Sequence, residues 1–170
     1  MKLSSTALPK AAGLSPAGNN LYYTLKMSTP QLTEAQRQRI ERALDTVPFA
    51  QLLGLKLESV IPGEATLSLP IRDELKQNHG VVHGGAIASL IDSAMAFAII
   101  PLLAENERTT TVDLTIHYLR ALTTGVSKST ARVVRAGRRV IVVSAEVFDD
   151  KGDLAATAVS TYLRMSANTN

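Results

Sequence analysis

The 170-residue chain has no cysteine and no tryptophan. Without cysteine there is no disulfide, no thiolate nucleophile and no cysteine metal ligand, and the expected setting is a reducing one, the cytoplasm. Aromatic residues make up only 4%, too few for the stacking platforms that single-stranded nucleic acid requires. Acidic residues are missing from the first 33 positions, Glu34 being the first. The net charge of +3 and pI of about 9.3 come from scattered lysines and arginines. Such mild basicity does not indicate nucleic-acid binding, but it suits an anionic ligand. The chain also has no H-E-x-x-H, no G-x-S-x-G and no phosphate loop, which leaves zinc-peptidase, serine-triad and nucleotide-hydrolysis chemistry without support. No histidine–acid cluster has metal-ligand spacing, so no metal and no cofactor is expected.

The hydrophobic content of 45% is ordinary for a globular chain long enough to bury one core. Residues 1–30 are rich in Ser, Ala, Pro and Gly and hold three lysines. They are expected to be a flexible leader, a vector-derived segment or an extension upstream of a start at Met27. The segment has no apolar run of signal-peptide length. Residues 31–170 are read as a single domain.

Within that domain, Thr33 to Thr46 reads as a short amphipathic helix capped by Thr33, with Glu34 in its first turn. Pro48 and Gly54 break the pattern. Leu55, Leu57, Ser59 and Ile61 alternate with Lys56, Glu58 and Val60. After the turn pair Pro62-Gly63, Ala65, Leu67, Leu69 and Ile71 alternate in the same way, which predicts a hairpin. A loop at 72–82 leads to a long apolar helix at about 84–103, which Pro101 should kink or end. Four strands are expected after it, at about 109–119, 126–135, 139–149 and 154–165. Strands on both sides of a helix indicate an α+β class with an antiparallel sheet wrapped around the helix. The helix is long enough to cross a bilayer. Asp92 would then sit near the bilayer centre at a cost of several kcal/mol, so a buried core helix is expected, with no membrane.

Asp92 is the one formally charged residue between Gly84 and Ala104, and an unpaired carboxylate is costly to bury. Its same-face neighbours Gly85, Ala88, Ser89, Met95, Ala96 and Ile99 are mostly small. That stripe serves either close helix packing or a slot beside a reactive acid. His83-Gly84-Gly85 opens the helix. Two glycines there weaken it but let a ligand approach free N–H groups, which attract developing negative charge. Together these features suggest acyl chemistry. Gly84 and Asp92 stand eight residues apart, about 12 Å along the axis, yet a reacting carbonyl must lie about 3 Å from both its donor and its attacker. If both groups act on one carbonyl, Gly84 of one subunit must meet Asp92 of another in a twofold dimer or larger assembly. His83 either fixes the turn or transfers a proton, and His79 and His117 have weaker claims. Arg135-Ala-Gly-Arg138-Arg139 is a basic hairpin, read either as a solvated turn or as a phosphate clamp.

The run Gln77…Gly80…His83-Gly84-Gly85…Leu90…Asp92 resembles the hotdog-fold acyl-CoA thioesterases, in particular the phenylacetate-pathway and medium-chain types. The similarity extends from about Pro48 to Met165 and takes in Thr111-Val112-Asp113-Leu114, Tyr118-Leu119-Arg120 and the basic hairpin. The resemblance implies a homo-oligomer, a dimer or a tetramer built from dimers, that binds an acyl-CoA substrate. In it the Gly84 N–H polarises the thioester carbonyl, and Asp92 of the other subunit attacks it or activates water. By the same resemblance, Gln77 holds the thioester or the water, Thr111 aids water placement, and Asn78, one position off, is a bystander beside the substrate. Ala96 stands where relatives with Glu in place of Asp92 often carry Thr, which favours the Asp type. Coenzyme A would lie across Tyr118 to Thr123 and Arg135 to Val140, with Gly85 and Gly137 in the binding set. Its phosphates would meet Arg120, Arg135, Arg138 or Arg139. The alternative is a non-catalytic acyl-CoA binding or sensing module on the same fold.

Overall fold

A computed structural model describes residues 32–166; the expected leader at 1–30 lies outside them. Helix α1 (Glu34–Thr46) starts as its sequence predicts. The Thr33 hydroxyl accepts the Gln36 N–H at 3.2 Å while the Gln36 side chain accepts the Thr33 N–H at 2.8 Å, a reciprocal capping box. Pro48 does not simply break the pattern. It occupies the first turn of a second short helix, α2 (Pro48–Leu53), where its missing N–H costs nothing. Gly54 ends α2 with φ 72°, a left-handed cap that favours glycine.

Six strands follow the expected order: β1 (Lys56–Ile61), β2 (Glu64–Pro70), β3 (Glu107–Tyr118), β4 (Val126–Ala136), β5 (Val140–Phe148) and β6 (Leu154–Ser166). All pair antiparallel in one sheet of order β1-β2-β4-β5-β6-β3, so β1 and β3 are its edges. The long helix α3 (Gly84–Ile99) lies between β2 and β3 in the chain and packs across β1 to β5. This is the architecture expected of a hotdog fold. The α-helix stops at Ile99, and Pro101 sits in a short 3-10 turn, Ile100–Leu102, so the regular helix is shorter than the apolar run.

The core lies between α3 and the inward face of the sheet. Leu90, Ile91, Met95 and Ile99 from α3 meet Leu67 and Leu69 from β2 and Ile141, Val143 and Val147 from β5, all essentially buried. Each such side chain contributes about 1.5–3 kcal/mol. The apolar length of α3 is spent on this core. On β6, Ala156, Ala158, Ser160 and Tyr162 are buried, three small residues and one large ring at the end of the row.

Two strands depart from simple alternation. In β1 the register shifts between Leu57 and Ser59. Leu57 and Val60 therefore pack on the core while Ile61, expected on the same face as Leu57, is exposed. In β3 the register shifts between Thr111 and Asp113, leaving Val112 as the extra, exposed residue. Leu114 pairs with buried Ser160, and Thr111 pairs with buried Tyr162. Regular alternation back from Leu114 would send Thr111 outward. Taken up as a bulge, the extra residue leaves it facing inward.

Candidate functional site

The mouth of the candidate site is the start of α3. Lys76 and Val82 form a small bridge, the Gln77 N–H donates to the Val81 carbonyl at 2.8 Å, and the Gly80 N–H donates to the Gln77 carbonyl at 3.0 Å. Gly80 closes this turn at φ 74°. Val82 donates to Leu122 and His83 to Leu75, each at 2.8 Å, so the turn is anchored to buried neighbours on both sides. Gln77 is thereby brought next to the helix start, while Asn78 and His79 occupy the exposed tip of the turn.

His83 caps α3. Its Nδ1 accepts the Gly85 N–H at 2.9 Å, which requires the neutral ring to carry its proton on Nε2. This geometry suits the turn-fixing role, one of the two left open by the sequence. The Gly84 N–H has no acceptor among the described residues. The Tyr118 hydroxyl donates to the Gly84 carbonyl at 2.9 Å. A Cβ at Gly84 would lie 3.3 Å from the Tyr118 ring, so glycine there keeps the tyrosine against the helix end. Gln77, Gly84, Tyr118 and Arg120 share the wall of one cavity of about 310 Å³, together with Val82, Ile87 and Leu122. The Arg120 guanidinium is paired with the Asp153 carboxylate.

Asp92 lies two turns further along α3, partly buried and outside that cavity. Its Oδ1 accepts the Thr111 hydroxyl at 2.9 Å and the Tyr162 hydroxyl at 2.7 Å. The Tyr162 hydroxyl is also 3.1 Å from the Asp92 carbonyl. Burial, and then the negative charge of Asp92, push the Tyr162 phenol well above its ordinary range, so it stays a proton donor. Tyr162 was not foreseen as a site residue. Its available signal was a single large ring on the inward side of a strand whose other inward residues, Ala156, Ala158 and Ser160, are small.

The basic hairpin joins β4 to β5. The Gly137 N–H donates to the Val140 carbonyl at 2.8 Å, and a Cβ at Gly137 would fall 2.7 Å from that same oxygen, so glycine is required for the close approach. Arg135, Arg138 and Arg139 line a separate groove of about 430 Å³ with Val140 and Val142. One chain thus gathers Gln77, Gly84, Tyr118 and Arg120 at the mouth and Asp92 with Thr111 at the middle of α3. The three arginines stand apart from both. Among the described residues no group of three or more His, Asp or Glu could hold a metal ion.

Residues 79–156 match the thioesterase superfamily. The medium/long-chain acyl-CoA thioesterase YigI of Salmonella typhimurium is 29% identical over 132 residues, covering 69% of this chain and 85% of that protein. A crystal structure of a thioesterase family protein from Silicibacter pomeroyi superposes with a TM-score of 0.72 at 27% identity, covering 77% of this chain and 98% of that one. The conserved protein PA5202 from Pseudomonas aeruginosa is 32% identical with a TM-score of 0.66, over 73% of this chain and 98% of its own.

Proposed function

The chain belongs to the thioesterase superfamily, whose reaction is thioester hydrolysis on a hotdog fold, and from that premise we propose that its substrate is an acyl-CoA and that Gly84 and Asp92 carry the reaction. The observation that carries this reading is the pairing, on one helix, of an N–H at the N-terminus that has no acceptor among the described residues with a fixed carboxylate about 12 Å along. The thioester carbonyl oxygen accepts the Gly84 N–H, where the helix end favours negative charge. A carboxylate oxygen of Asp92 then acts in one of two ways. It forms a C–O bond to the carbonyl carbon while the C–S electrons leave with the coenzyme A thiolate, and water cleaves the resulting anhydride. Alternatively, it takes a proton from a water whose oxygen makes that bond. The separation along α3 requires the two groups to come from different subunits, so the active form is a homodimer or an assembly of dimers. The edge strand β3 supports this, because among the described residues no strand pairs with its outer side, which leaves it available to a second copy. Gln77 holds the thioester or the water from its anchored turn, and His83 keeps the helix start in shape. Arg135, Arg138 and Arg139 meet the phosphates of coenzyme A, and Arg120 joins them only by leaving Asp153. A cysteine-free chain with this substrate fits the cytoplasm.

The test is thiol release from phenylacetyl-, hydroxybenzoyl-, hexanoyl- and palmitoyl-CoA by the wild type and by Asp92→Asn. Turnover that falls at least about a hundredfold in the variant, roughly 2.7 kcal/mol of transition-state stabilisation, is the expected result. Tight binding of these esters without turnover by the wild type would replace the enzyme with a binding module.

A further inference from the structure

We infer that Tyr162 is a positioning residue that fixes Asp92 through one carboxylate oxygen and so selects the other, Oδ2, as the reacting atom. The inference rests on the reading of Asp92 as the acting acid and says how the fold prepares it.

Three observations converge on this. First, both hydroxyl donors fall on the same atom: Oδ1 accepts Tyr162 at 2.7 Å and Thr111 at 2.9 Å. Oδ2 has no hydrogen-bond or ion-pair partner among the described residues and is not one of their buried, unpartnered side-chain atoms, so it is at least partly accessible. An oxygen that accepts two hydroxyls has its lone pairs committed, whereas an open one can attack carbon or take a proton. Second, the donors are direct cross-strand partners. Thr111 and Tyr162 stand opposite each other on β3 and β6, where side chains of one face come within about 5.5 Å. Because Val112 is taken up as a bulge, Thr111 stays on that face. Third, Tyr162 is only 1% exposed and packed under the helix, so its hydroxyl is held still, while Thr111 is exposed. The buried ring supplies the rigidity and the threonine completes the pair. A tyrosine needing only to satisfy its own hydroxyl could have used the Asp92 carbonyl alone, but the shorter contact is to the carboxylate.

The two possible courses of the reaction use Oδ2 alike. Either it forms the new C–O bond as the C–S pair departs with the thiolate, or it receives the proton of the attacking water. Held by Oδ1, the carboxylate cannot rotate to exchange its oxygens without breaking two hydrogen bonds.

The test is a cycle of Tyr162→Phe, Asp92→Asn and the double variant, read as kcat and KM for the best acyl-CoA together with the thermal midpoint. The expected result is a fall in kcat of at least about tenfold for Tyr162→Phe with KM within about twofold, and little further loss when the same change is made in the Asp92→Asn background. The cycle is repeated with Thr111→Val, and Thr111→Ser should restore most of the rate. Because Thr111 is exposed, this arm stands even if Tyr162→Phe fails to fold. A Tyr162→Phe loss of equal size in both backgrounds would overturn the inference, since the tyrosine would then act through packing. So would kcat within about twofold of wild type. If Asp92→Asn itself keeps full turnover, the reading of Asp92 fails first, and the positioning of its oxygens falls with it.

Discussion

The two chemical groups of α3 are made by opposite means. At the N-terminus, residues are pared down until the backbone itself is the functional group. Gly84 and Gly85 leave N–H groups open to approach, one satisfied by His83 and one without an acceptor among the described residues. At Asp92 the functional group is a side chain, and neighbours are added until its position is determined, with two hydroxyls on one oxygen from two different strands. A backbone donor is rigid because the helix is rigid, so it needs only access. A carboxylate on a rotatable stem needs to be held. The two regions should therefore respond differently to substitution: the mouth to added bulk, the middle to lost hydrogen bonds.

After the loss of Asp92 itself, the largest effect expected on this contrast comes from Gly84→Val. The added branches collide with the Tyr118 ring, already 3.3 Å from where a Cβ would sit. kcat/KM should fall at least about tenfold, roughly 1.4 kcal/mol, while circular dichroism reports an unchanged fold. Retention of full activity would mean that access to the helix end is not what the glycine provides. A smaller effect is expected from Tyr118→Phe, which deletes the hydrogen bond to the Gly84 carbonyl but leaves the ring. Steady-state assays should show a change below about threefold, because that carbonyl points at an exposed hydroxyl. The smallest effect on activity is expected from Thr33→Ala. Losing the α1 cap should cost about 1 kcal/mol of stability, seen as about 2–4 °C in the thermal midpoint, with kcat unchanged. A change in kcat would link α1 to the site.

The mouth was the more legible of the two in the sequence. His83-Gly84-Gly85 is contiguous, and glycine pairs at a helix start have few explanations, so the cap, the free N–H and the buried long helix could all be expected from local pattern. Asp92 was conspicuous for the same local reason, as the one charge in an apolar run. Its clamp was not conspicuous, because Tyr162 lies 70 residues away and meets it only through the pairing of β3 with β6. Nor was the bulge readable. Thr111-Val112-Asp113 alternates as well as any strand, and nothing in those three letters says that Val112 is supernumerary. The same blindness affected Ile61, placed inward by alternation and exposed in the fold because β1 slips after Leu57. Period-2 patterns predict faces only while the register holds. Arg120, one of four arginines offered to the phosphates, pairs with Asp153, a partner 33 residues on that local pattern does not reveal.

The extra residue in β3 also bears on how such a site is kept over generations. Val112 contributes nothing to the core, being 62% exposed, and the strand resumes regular pairing at Asp113. Removing this single codon would leave Thr111 two positions before Leu114 and still opposite Tyr162, so the ladder, the core contacts of β6 and the inward aim of Thr111 would all persist. A lineage could thus gain or lose Val112 by a three-nucleotide change without re-aiming the hydroxyl beside Asp92, because the bulge absorbs the extra residue.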